Sequence, residues 1–130
     1  MSDDWHMLSE EEALFCDVLT RVCAEQIAPL AHETDETSTF VHRQLKLLGE
    51  VGMMGANLPE EYDGSGISAP AFLCAVAIVA GACGSTASAL TAHYLATDSI
   101  LIGGSEAQKQ QWLPKAATGE ALGAFALTEP

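Results

Sequence analysis

The sequence predicts an all-α fold: an N-terminal helical bundle of about five helices, with the beginning of a β-strand at its C-terminal end. Three observations carry that prediction. The 130 residues are 48% apolar, enough for one domain with a core of its own. Apolar residues recur at helical spacing through most of the chain, and two serine-led capping boxes mark points where helices open. Only after Gly119 does the helical period fail, and there Leu122, Phe125 and Leu127 suit a strand.

Taken in order, Ser9 stands three residues ahead of Glu12, so hydroxyl and carboxylate can each satisfy an amide that a first helical turn leaves without a partner. Phe15, Val18, Leu19 and Val22 then repeat at i, i+3, i+4 and i+7, an apolar stripe on a helix that Pro29 ends or kinks on the way to Thr34. A second helix is expected over about 39–51 with Leu45, Leu48 and Val51 inward, and Gly49, Gly52 and Gly55 loosen its exit. Pro59 and the glycines of 57–66 make a tight surface turn. Ser68 caps a third helix, with Pro70 tolerated in the first turn. The run 69–83 is apolar on every side, which predicts a helix buried in the middle of the bundle, and it falls short of the roughly 20 residues a bilayer span needs. A fourth helix is expected over about 86–102 with Gly103-Gly104 as its stop, and Ser105-x-x-Gln108 opens a fifth through Ala116.

Eighteen Asp and Glu against five Lys and Arg give a formal charge of −13. Such a chain has no basic footprint for nucleic acid or for an anionic membrane surface, and it offers few cations to any phosphate-bearing ligand. Cys16, Cys23, Cys74 and Cys83 sit in apolar helical stretches with no C-x-x-C pair and no signal peptide, which reads as reduced core cysteine. The acidic start Met1-Ser2-Asp3-Asp4-Trp5 is unlike an Arg-rich transit peptide, so a cytoplasmic location is expected.

Two motifs point further. Gly104-Ser105-Glu106-Ala107-Gln108-Lys109, with Trp112-Leu113-Pro114, leads through Thr118-Gly119-Glu120 into Phe125-Ala126-Leu127-Thr128-Glu129-Pro130, and upstream lies Leu58-Pro59-Glu60-Glu61-Tyr62-Asp63-Gly64-Ser65-Gly66. In order and spacing these blocks resemble the acyl-CoA dehydrogenase family over nearly the whole chain. The resemblance implies an N-terminal helical domain over residues 1–121 and the start of an FAD-carrying β-domain over 122–130, with a small-residue run ending in Ser-Asp, a β-rich domain and a second helical domain expected to follow. It implies α,β-dehydrogenation of acyl-CoA thioesters: a glutamate of the later helical domain takes the α-proton while hydride leaves the β-carbon for the flavin. On that reading no catalytic residue falls in this stretch, and the stretch alone is inactive. An electron-transferring flavoprotein or similar acceptor and a homo-oligomer are the implied partners. An acyl-CoA oxidase or flavin monooxygenase of the same fold, or a non-enzymatic acidic helical module, are the alternatives.

By resemblance, Phe125, Leu127 and Thr128 take the positions that pack against or hydrogen-bond the isoalloxazine; a hydroxyl beside a strand end can orient a flavin and tune its electronics. The plainer reading makes them strand core and strand end. Residues 85–92 are a run of small side chains; Ser88, Thr91 and, a turn on, Leu95 take family positions along the acyl slot, although small residues more often let helices approach closely. His93 and Asp98 lie five apart, on different faces, and His32 with Glu36 makes one helical pair, so neither suggests a metal site. Glu10, Glu11, Glu12, Glu60 and Glu61 suit helix starts and solvated loops.

Overall fold

The computed structural model describes residues 7–128. Helix α1 (Glu10–Val22) passes through one π-helical stretch (Cys23–Ile27) into α2 (Ala28–Thr37), and the three form one rod. Helices α3 (His42–Glu50), α4 (Ala69–Ala82), α5 (Gly84–Gly103) and α6 (Glu106–Thr118) complete the expected five rods. The π turn explains how the first rod survives Pro29. A proline inside a helix has no amide to give and crowds the carbonyl four residues back. Widening the preceding turn places Pro29 in the first turn of a new α-segment, so the rod continues.

The caps form as the spacing predicts. Ser9 Oγ accepts from the Glu12 amide at 3.2 Å and Glu12 Oε2 accepts from the Ser9 amide at 2.9 Å. The other oxygen of Glu12 reaches across to the Ser68 amide at 2.7 Å, so one carboxylate ties the start of α1 to the start of α4. These backbone hydrogen bonds, led by that from Ser68, hold Glu12 down at about 2. Ser68 caps α4, and Ser105 with Gln108 completes the second box.

The core differs from the expected stripe. On the first rod Cys16, Leu19, Cys23 and Ile27 are fully inward, Phe15 and Val22 are half-buried, and Val18 faces out. Cysteine packs here as a small hydrophobe, and the π turn advances the inward line to Ile27. All four cysteines are free and three are buried, Cys74 only partly. Leu48, Met53, Val79 and Leu90 fill the space opposite, while Leu58, Tyr62, Leu113 and Ala117 form a smaller cluster under the 57–66 loop.

Helix α4 is not enclosed as its composition suggests. Ala71, Ala75, Ile78 and Val79 are buried against the first rod and α5, but Leu73 is 66% exposed and Ala77 and Ala80 also face out. Those two neighbours cover only part of its circumference. No strand forms among the described residues: 122–128 leave the helical conformation without pairing. A strand exists only where a second backbone completes its ladder, and apolar alternation cannot supply one. Among the described residues no helix is long and apolar enough to cross a membrane.

Candidate functional site

The site is built where the chain leaves α6 and turns back over α5. Gly119 ends α6 in the left-handed conformation, φ 81°, a backbone state natural to glycine, and its amide donates to the Ala116 carbonyl at 3.1 Å. Ala121 then donates to the Lys115 carbonyl at 3.0 Å, which directs the exit segment toward α5. There Gly123 lies flat on the helix. A Cβ at this position would come 2.7 Å from Ala96 Cβ and 3.2 Å from the His93 carbonyl, so the close approach needs a residue without a side chain.

His93, fully buried on α5, receives that segment. The Gly123 amide donates to His93 Nδ1 at 2.9 Å, and His93 Nε2 stands 3.1 Å from the Met54 carbonyl. Because Nδ1 accepts, the ring proton sits on Nε2 and is donated to Met54. Burial holds His93 below the ordinary imidazole value, against the opposing pull of the hydrogen bond to the Met54 carbonyl. Next along α5, Tyr94 donates its hydroxyl to the Met53 carbonyl, so two adjacent side chains grip one turn after α3.

The sequence-predicted site residues all lie at the surface. On α5 the buried line is Thr86, Leu90, His93, Tyr94 and Thr97, and Ser88, Thr91 and Leu95 occupy the face turned away from it. Leu95 is 53% exposed, and the Thr91 hydroxyl bonds only the Ser88 carbonyl of its own helix, at 3.0 Å. Thr86 and Ala87 are the small residues of this run that face the core; Ser88 and Thr91 are not. Beyond Gly123, Phe125 is 43% and Leu127 77% exposed, with Thr128 exposed beside them.

Asp98 and His93 do diverge. Asp98 accepts from Asn57 Nδ2 at 2.7 Å, and the same amide reaches Thr97 Oγ1 at 2.9 Å, pinning the 57–66 loop to α5. His32 and Glu36 pair at 3.6 Å on the outside of α2, too exposed to matter much for stability. Among the described residues no three His, Cys, Asp or Glu side chains come together as metal ligands. From the sequence, His93 is only set aside as a metal ligand. The sequence has no means of showing the ring's two partners, which lie 39 and 30 residues away and share no motif with it.

A family profile described as the acyl-CoA dehydrogenase N-terminal domain matches residues 9–120, from the first cap to the end of the bundle. The chain belongs to the acyl-CoA dehydrogenase family. It is 40% identical to the probable acyl-CoA dehydrogenase YngJ of Bacillus subtilis (strain 168) over 95% of its own length and 33% of that protein. Its fold superposes on a chain from the electron-transferring flavoprotein structure of Acidaminococcus fermentans with a TM-score of 0.87 at 30% identity, covering all of this chain and 34% of that one. It superposes on butyryl-CoA dehydrogenase from Megasphaera elsdenii with a TM-score of 0.85 at 29% identity, again covering all of this chain and 34% of the other. The chain thus spans about a third of the acyl-CoA dehydrogenase relatives it matches.

Proposed function

We propose that this chain is the N-terminal helical domain of an FAD-dependent acyl-CoA dehydrogenase that desaturates acyl-CoA thioesters between the α and β carbons, and that it contributes part of the acyl slot and the first flavin contacts. The observation that carries the reading is the exposure of apolar and hydroxyl side chains on α5 and on the exit segment. Ser88, Thr91 and Leu95 line the open face of α5, and Phe125, Leu127 and Thr128 extend from the segment laid along that helix's flank.

The exit segment suits a flavin. Among the described residues, no hydrogen bond engages the backbone of 124–128, leaving a polar edge open beside the faces of Phe125 and Leu127 and the Thr128 hydroxyl. An isoalloxazine needs those two things, apolar cover for its faces and hydrogen-bonding groups for its edge. When bound, FAD supplies the acceptor for the two electrons removed from the acyl chain. With five Lys and Arg in the sequence, the grip on the phosphates of FAD and coenzyme A belongs mostly to the rest of the protein. Of this chain's residues, Thr128 orients the ring edge, Phe125 and Leu127 exclude water from its face, and Ser88, Thr91 and Leu95 bound the acyl chain. The base lies outside this stretch; a separate electron-transferring flavoprotein or similar acceptor takes the electrons, and the protein is a cytoplasmic homo-oligomer.

Dye-coupled oxidation of short, medium and long acyl-CoA thioesters, with added FAD, tests this reading on two samples. A protein of the relatives' length carrying this stretch should turn over. The 130 residues alone should stay at the free-flavin background, since the general base is not among them. Turnover by the short chain, or a longer protein that retains no flavin, would overturn the proposal.

A further inference from the structure

We propose that His93 is a positioning residue: held as the neutral Nε2-protonated tautomer, it latches the exit segment to α5 and thereby sets where Phe125, Leu127 and Thr128 stand. The functional half of this inference rests on the flavin reading above; the latch itself does not.

The latch has three parts. Nε2 donates to the Met54 carbonyl at 3.1 Å, which fixes the plane of the ring from the core side. Nδ1 then points its lone pair outward and accepts the Gly123 amide at 2.9 Å. Gly123 has no Cβ to hold the backbone off Ala96, so the segment can reach that lone pair. Each part fails differently. Loss of the Met54 bond alone costs stability but leaves an acceptor for Gly123; with a proton on Nδ1 the acceptor is gone; with a side chain at 123 the backbone stands off. Among the described residues, the Gly123 amide bond is the last hydrogen bond before the Thr128 end of the segment, so the path of 124–128 is set from this point.

Amide side chains separate the two bonds. Asn Oδ1 lies as many bonds from Cβ as His Nδ1, and Gln Nε2 as many as His Nε2, so His93→Asn keeps an acceptor for Gly123 while His93→Gln keeps a donor for Met54. Gly123→Ala lifts the segment with His93 intact and lies outside the core, so that variant folds. Amide hydrogen exchange at Gly123 is read first, because it needs no flavin. Protection should persist in the parent and in His93→Asn and be lost in His93→Gln and Gly123→Ala. In a protein of the relatives' length, the latter two should also raise the FAD dissociation constant by roughly two- to tenfold, the range for one neutral hydrogen bond, and change the visible circular dichroism of bound flavin. His93→Asn should retain the parental dissociation constant and spectrum while losing thermal stability.

An unprotected Gly123 amide in the parent would remove the latch altogether. If all three variants lose stability together while FAD affinity and the flavin spectrum stay parental, His93 is a core residue and nothing more. A parent with protected Gly123 and no flavin affinity would instead sink the flavin reading and leave the latch standing.

Discussion

Replacing Thr91 with leucine separates a substrate slot from ordinary helix packing, because the structure fixes what the change costs the fold. Thr91 is exposed, and its hydroxyl bonds the Ser88 carbonyl one turn back in the same helix. Losing that exposed bond costs little, and leucine is the better helix former by up to about 0.5 kcal/mol, so the melting temperature should hold or rise slightly. If Thr91 bounds the acyl chain, a side chain one heavy atom larger and branched farther out enters a fitted space, and overpacking of that kind costs about 1–3 kcal/mol. That penalty falls on thioesters long enough to reach the residue. At 1.4 kcal/mol per factor of ten, kcat/KM for long over short acyl-CoA should drop by about five- to a hundredfold. The assay is a chain-length series on parent and variant in a protein of the relatives' length, with melting curves on the same samples. A lowered melting temperature with an unchanged chain-length profile would refute the reasoning and take Ser88 and Thr91 out of the slot.

Thr128→Val keeps the shape of the side chain and removes its hydroxyl, so FAD should bind about two- to tenfold more weakly with the fold intact; unchanged affinity and flavin absorbance would leave Thr128 a segment end. Acid should destabilise the chain in two steps. The folded state resists protonation of His93, so the unfolded chain takes up more protons and stability falls as pH drops below about 6.5, a slope that His93→Asn should flatten in melting curves against pH. Glu12 is likewise harder to protonate when folded, so its contribution is complete above 4.5 and is lost as pH falls through about 2; Glu12→Gln should remove that second step. Leu90→Ala, at a fully buried position in the main core, should cost about 2–5 kcal/mol in denaturant unfolding, and a change near zero would contradict the packing described.

Much of the fold was legible because helix starts are local events. Ser9 with Glu12, Ser68, and Ser105 with Gln108 each solve a hydrogen-bonding problem within four residues, and each cap stands where the spacing predicted it. The five rods, the free cysteines and the family are legible in the same way. Periodicity was less informative about facing: it fitted Phe15, Val18, Leu19 and Val22 to one stripe, but the bundle buries Cys16, Leu19, Cys23 and Ile27. Two stripes lay within a fraction of a turn of each other, and neighbouring helices chose between them. Helix α4 shows the same limit from the other side, since apolar residues all round do not bring neighbours to every side.

By itself, the sequence determined the helices, the caps that open three of them, the acidic charge and the family, because backbone hydrogen bonding, propensity and motif order are written in nearby residues. The tertiary structure alone decided that the first rod passes Pro29 through a π turn, that Glu12 bridges two helix starts, that 122–128 pair with nothing described, and that His93 joins Met54 to Gly123. Each of these depends on backbone groups or faces brought together from distant parts of the chain, or on a choice between i→i+4 and i→i+5 bonding that packing settles. A residue's type states what it can donate or accept. Only the packed chain supplies the partner.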